Sequence, residues 1–416
     1  PNHLVEWPRS HHGPITHMLD GRWVATKINW DPVNALRQSF LRTKTRDLDG
    51  FNAMMDIRTN SSNNTVYADS SGNIAYYHGN FVPRRRTDID YSKPVDGRDP
   101  STDWQGLHTL DEIVTVVNPA NGWVQNCNST PFTAAGADSP KRDDYPVYMA
   151  PDAENFRGVH AQRVLADVSD LTLDGLLALA YDPYLPGFET LLDGLVTAYD
   201  EASAPNAALA PAIDVLRDWD LTSRVDSVAL SLAHFYGLQY REDGANPEGL
   251  SGMALIDYYG AGSPPLERLR VFEKAVARLI ADFGRWDVPW GEINRFQRLD
   301  GRIDQQFDDE APSLPVAFSA GDWGALASFR TRRSPGTRRL YGVSGNSFVA
   351  VVEFGDRVRA KTILAGGQHG DPDSPHFFDQ AQRYVDADFK DVAYYRDAVE
   401  QRATATYQPG KRRRSR

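Results

Sequence analysis

Between about Glu154 and Gly284 the apolar residues recur at helical spacing, while on either side they alternate or cluster as strands do. Any fold for this chain must therefore carry a helical middle between strand-bearing flanks. Within the middle, Leu173, Leu176, Leu177 and Ala180 fall on one face behind Thr172, a residue suited to an N-cap. Further helices are predicted near 186–200, 207–218, 223–239 and 266–283. An apolar stripe of this kind is core, and no chemistry is assigned to it. Before it, Asp31-Pro32 supplies an N-cap and first helical residue for a helix to about Thr43, and a second helix spans about Asp47 to Ile57. Val66-Tyr67-Ala68 and Ile74-Ala75-Tyr76-Tyr77 have the composition of strands around a Ser70 to Asn73 turn. Residues 84–105, with Arg84-Arg85-Arg86 and repeated Asp, read as a long surface loop. After Trp290 a hairpin is predicted, Ser347 to Phe354 and Arg357 to Leu364 about Gly355-Asp356. Its first arm is almost wholly apolar, the pattern of a strand covered on both faces.

Composition removes several function classes. A net charge of −11 argues against a generic nucleic-acid binder. No apolar window reaches the length of a membrane helix. The chain of 416 residues has mass for one large or two ordinary domains. Cys127 is the single cysteine, which excludes an internal disulfide and a cysteine zinc cluster. It is read as a small buried residue in a strand rather than a nucleophile. The ending Lys411-Arg412-Arg413-Arg414-Ser415-Arg416 is read as a solvated terminus.

The densest polar run is Asn118 to Pro131. Asn118-Pro119 starts a turn, Asn121-Gly122 forms one, and Trp123-Val124-Gln125-Asn126 reads as a short strand. That strand would bring Asn126 and Asn128 to its end with like-facing side chains. A rigid carboxamide there suits a developing oxyanion; the alternative is an Asn that caps its own turn.

Other segments fall into step with this run. They are His11-His12-Gly13-Pro14-Ile15, Val66 to Tyr76, Trp104-Gln105-Gly106-Leu107, Glu154 to His160, and the closing Gly366-Gly367-Gln368-His369-Gly370-Asp371-Pro372 with Ser374-Pro375-His376 and Asp379-Gln380. Together, in this order, they resemble the penicillin acylase family of N-terminal nucleophile (Ntn) hydrolases. The wording from Gln125 to Pro131 is most similar to the acyl-homoserine-lactone and aculeacin-type acylases.

The resemblance implies an α+β chain: part of a four-layer αββα sandwich with a helical insertion. It divides the chain into core residues 1–153 with the oxyanion segment, a helical insertion 154–285, and a returning core 286–416 ending in the basic tail 411–416. It implies hydrolysis of a linear amide by an N-terminal Ser, Cys or Thr whose own α-amine is the base. In that family the nucleophile opens the large subunit well upstream of the His-Gly-Pro-Ile segment. The expectation is thus a C-terminal fragment of the large subunit, inactive alone, whose partners are the small subunit and the start of the large one. The substrate class is a small N-acyl compound such as an acyl-homoserine lactone, a lipopeptide or a penicillin-type β-lactam. Nucleic acid and membrane are not expected partners, and the location implied is periplasmic or secreted.

By the same resemblance Asn128 is the oxyanion-hole asparagine and Arg157 organises the pocket around the nucleophile, although an arginine there also suits a structural ion pair. No cofactor is needed for the chemistry. A structural calcium is implied, with Asp143, Asp144 and Asp152 as candidate ligands, but the insertion at Asp138 to Asp144 breaks the local match. His369 stands where the family has Ser, while Gln368 and Asp371 remain; a metal pair of His369 and His376 is the other reading of that block. Leu36, Phe40 and Met54 are candidates for the acyl pocket or else simple core. His11, His12 and His160 could be paired with serines and aspartates, yet no Gly-x-Ser-x-Gly opens a helix to make a triad. Ser10 and Ser347 do not sit at a chain start. The sequons at Asn60, Asn63 and Asn128 are read as chance matches. The rival class is a non-catalytic binding protein on the same fold.

Overall fold

The computed structural model describes residues 7–60, 63–408 and 410, so the basic tail 411–416 lies outside the described residues. It divides between Glu154 and Asn155 into two units.

In the first unit both predicted helices start where their caps require. The Asp31 carboxylate accepts the Asn34 N–H at 3.3 Å and opens Pro32–Arg42, and Asp47 accepts the Gly50 N–H at 2.7 Å and opens Leu48–Met55. Thr65–Ala68 pairs antiparallel with Ile74–Tyr77, and Thr115–Val117 adds on the other side. Alternation then assigns the faces. Ala75 and Tyr77 pack with Phe51, Met54 and Met55, whereas Tyr76 faces Val116, Ala134 and Ala135. A separate hairpin joins Gly13–Leu19 to Arg22–Ala25.

Helix Pro32–Arg42 departs from expectation in what it buries. Gln38 is 2% exposed, while Leu36 and Phe40 stand 74% and 63% exposed. The Gln38 carbonyl accepts both the backbone N–H and the hydroxyl of Thr59, so the amide points inward and the apolar stripe outward. The predicted strand at Trp123 to Asn126 does not form. Its backbone has no ladder neighbour: the Gln125 N–H goes to the Ala134 carbonyl at 2.8 Å, and the Asn126 side chain takes the Asn128 N–H.

In the second unit, helix Val228–Asp243 is buried on nearly every side, against Ala210–Arg217, Trp290–Ile293 and Pro265–Phe283. The last presents Val271, Phe272, Ala275, Val276 and Leu279 as its buried stripe. Trp323, Ala325 and Leu340, from the segment beyond Trp290, join this same core. A four-stranded sheet runs Leu314–Pro315, Asn294–Phe296, Leu340–Gly345, Phe329–Arg332, with the middle pair parallel. Phe348–Glu353 and Arg359–Leu364 form the predicted hairpin, extended by Lys390–Asp391.

Two burial expectations fail here. Phe348–Glu353 is an edge strand, with Val351 buried but Phe348 65% exposed, so it is not covered on both faces. Helix Leu173–Ala180, capped by Thr172, lies against that strand and has no fully buried residue. An edge position offers the helix only one surface to cover. No helix among the described residues is long and apolar enough to cross a membrane.

Candidate active site

The run from Asn118 to Pro131 forms a loop held at both ends. At its start Asn118 Oδ1 accepts the Ile74 N–H at 2.9 Å, tying the turn to the strand pair. Asn121 donates its amide to the Ala135 carbonyl at 2.7 Å, and its backbone N–H goes to Asp138. At the far end the Thr130 N–H reaches the Ala153 carbonyl at 3.1 Å, and the Thr133 hydroxyl donates to Glu154 at 2.7 Å. The apex between these anchors is Asn126 to Ser129.

Within the apex Asn128 is exposed and has a φ of +57°, the left-handed region that few side chains other than Asn tolerate. Asn126 Oδ1 accepts its backbone N–H at 3.2 Å. Three polar atoms in this short stretch, Gln125 Oε1, Asn126 Nδ2 and Ser129 Oγ, are buried with no hydrogen-bond partner. Each such atom costs about 1–3 kcal/mol, so stability alone does not account for the arrangement. Cys127 sits in the apex half-buried, in a bend rather than in the expected strand.

Arg157 belongs to the second unit. Asn155 caps helix Phe156–Leu165 by accepting the Gly158 N–H at 3.1 Å, which places Arg157 in the first turn. Its side chain lies across Gly321, where a Cβ would stand 2.8 Å from Arg157 Cδ. His160, on the same helix, is buried with Nδ1 2.8 Å from the Gly324 carbonyl and Nε2 3.0 Å from Asp182. In the first unit, His12 places Nε2 2.7 Å from the Gly97 carbonyl. Both ring nitrogens of His160 are thus taken by oxygen acceptors, which leaves neither for the serine hydroxyl of a triad.

The closing block is clamped by Arg298, a residue the sequence reading passed over. Its guanidinium donates to the carbonyls of Phe377 (2.6 Å) and His369 (3.0 Å) and lies 4.0 Å from the Phe377 ring. His376 pairs with Asp379 at 2.9 Å, while His369 Nδ1 accepts the Asp371 N–H at 3.1 Å. The two histidines thus turn to different partners. Gln368 lines an open cavity of about 310 Å³ with Phe348, Leu364 and Lys390.

No group of three or more His, Cys, Asp or Glu among the described residues could hold a metal ion. Asp143 and Asp144 lie in a short 3-10 turn, and Asp152 faces His78 at 3.5 Å. Burial draws the His78 pKa down from its usual value, and Asp152 opposes that shift. Of the acyl-pocket candidates, Met54 is core, whereas Leu36 and Phe40 are on the surface.

The penicillin amidase family model matches residues 2–401. Penicillin G acylase of Escherichia coli is 38% identical over 68 residues, which are 16% of this chain and 8% of that protein. The alignment therefore spans a small part of the curated relative's length. The thermostable penicillin G acylase from Alcaligenes faecalis, solved in an orthorhombic form, superposes with a TM-score of 0.61 at 18% identity. That superposition covers 96% of this chain and 77% of the solved one, and it supports the α+β Ntn-hydrolase fold.

Proposed function

Because the chain belongs to the penicillin amidase family, we propose that it forms part of an acylase that splits a small N-acyl compound into a carboxylic acid and an amine. The observation that carries this reading is the apex at Asn126 to Ser129, anchored at both ends and rich in buried polar atoms without partners. Amide hydrolysis needs a nucleophile, a base and donors to the tetrahedral oxyanion. Asn128 is the donor: its carboxamide N–H stabilises charge that develops only in the transition state. Arg157 orients groups around the nucleophile. The nucleophile is an N-terminal Ser, Cys or Thr, and its own α-amine is the base. By the same reading its partner is the small subunit of a processed enzyme.

The Gln125 to Pro131 wording favours acyl-homoserine lactones or lipopeptide side chains over β-lactams. Such substrates fit a periplasmic or secreted enzyme. The chemistry needs no cofactor, and any structural calcium takes ligands beyond Asp143, Asp144 and Asp152.

The test is to express the gene from its true start, sequence the N-termini of the purified product, and assay release of amine from a panel of N-acyl compounds. Two chains and turnover, with the larger chain opening on Ser, Cys or Thr, support the acylase. A single uncut chain without turnover sinks it and leaves the binding-protein reading.

A further inference from the structure

The carboxamide of Asn64 donates to Asn126 Oδ1 at 3.2 Å, and the same oxygen accepts the backbone N–H of Asn128 at 3.2 Å. Two donors on one oxygen fix which way the Asn126 amide faces, and turn its Nδ2 to the opposite side. That Nδ2 is the buried donor without a partner. Asn64 is itself well placed to act as an anchor. It leads directly into strand Thr65–Ala68, and the carbonyl of Asn63 accepts from the Asn60 side chain at 2.9 Å. The Asn60 N–H in turn reaches Asn80 Oδ1 at 2.6 Å, and the fully buried Asn80 donates to the Met55 carbonyl at 2.7 Å. A series of amides thus runs from the helix Leu48–Met55, in the core, to the apex.

We propose that Asn64 is a positioning residue for amide hydrolysis: through Asn126 it holds Asn128 in the left-handed backbone that aims the oxyanion donor. The proposal rests on the reading of Asn128 as that donor. In the sequence Asn64 is only the middle of a glycosylation sequon, because nothing local links it to a loop 62 residues away. Without Asn64 the Asn126 amide can rotate, the Asn128 N–H loses its acceptor, and the carboxamide samples directions away from the developing charge. Ground-state binding is untouched, so the loss falls on kcat rather than KM.

The experiment is a double-mutant cycle in the full-length, matured enzyme, reading kcat and KM on the best amide of the panel. Asn64→Ala is expected to lower kcat by about tenfold, the lower end for a supporting partner, with KM nearly unchanged. In an Asn128→Ala background the same substitution should cost nothing further. Asn64→Asp, which keeps the shape but removes the donor, should behave as Asn64→Ala does and serves if the alanine variant does not fold. Equal losses in both backgrounds, or an Asn64→Asp enzyme with unaltered kcat, overturn the role given to Asn64 alone. If Asn128→Ala turns over as the parent does, the oxyanion reading has failed, and this proposal with it.

Discussion

Gly194 and Gly260 meet so closely that a Cβ on Gly194 would stand 1.7 Å from the Gly260 carbonyl oxygen. Gly194 lies mid-helix in Glu189–Asp200, and Gly260 lies in the π turn Tyr258–Gly262 that crosses it. The buried Arg268 locks the crossing by donating to the Gly194 carbonyl at 3.2 Å and to the Ser263 carbonyl at 2.7 Å. Gly194→Ala should therefore destabilise the second unit by more than about 2 kcal/mol, since backbone cannot yield as a side chain does. Gly175→Ala, whose nearest neighbour would be the Thr172 hydroxyl at 3.3 Å, should change stability by less than about 1 kcal/mol. Chemical denaturation of the two variants decides; equal midpoints would refute the packing argument.

Elements with local causes were legible in the sequence. Asp31, Asp47 and Thr172 each cap a helix where a short polar residue precedes an apolar period, because the capped N–H lies three residues on. The hairpins around Gly72 and Gly355 were equally visible, since their turns and strand composition are contiguous. What failed depended on remote partners. The sequence does not say that Thr59 waits for Gln38, so Phe40 was a core or pocket candidate. Nor does it say that Asn126 would spend its side chain on the Asn128 backbone, so a strand was expected there. Val351 and its neighbours are apolar enough for a covered strand, but coverage depends on what lies beside it. At the candidate site, Asn128 and Arg157 are named by the resemblance alone, whereas the contacts of Asn64 and Arg298 are with residues distant in sequence.

The inward amide on helix Pro32–Arg42 gives a test with an unusual sign. Gln38→Leu makes the buried face more apolar, yet it leaves the Thr59 N–H and hydroxyl without their acceptor. The expected cost is about 1–3 kcal/mol, the desolvation of unpaired groups. Phe40→Ala, at an exposed position, should stay within about 0.5 kcal/mol. A stabilised Gln38→Leu variant, measured by urea titration, would show that the contact contributes little.

Acid sensitivity should arise in part from His234. Burial, with a lesser contribution from the Arg241 guanidinium, lowers its pKa from the usual 6.5 to about 3. Trp323 Nε1 donates to Nδ1 at 3.2 Å, which leaves the neutral ring's proton on Nε2. The unfolded chain gains a proton here below about pH 6.5, and the folded chain does so only below about 3. Stability is therefore lost as pH falls through that window, by up to about 1.4 kcal/mol per pH unit. His234→Asn retains an acceptor for Trp323 but cannot titrate. Its unfolding free energy should fall less between pH 7 and pH 4.5 than that of the parent, and parallel curves would exclude His234 as a source.

The backbone and the carboxamide of Asn128 can be separated because its φ of +57° is one that glycine adopts freely. Asn128→Gly keeps the loop path and removes the side chain; Asn128→Ala removes the side chain and also strains the backbone. If the carboxamide stabilises the oxyanion, both variants of the matured enzyme should lose about 10²–10³ in kcat, as removal of one donor costs elsewhere. Their stabilities should nonetheless differ, with the alanine variant lower by roughly 1 kcal/mol, the penalty of a left-handed non-glycine residue. Steady-state kinetics and thermal unfolding on the pair give both numbers. A glycine variant that retains parental kcat would mean that the apex needs only the shape of its backbone, and the donor would have to be sought elsewhere.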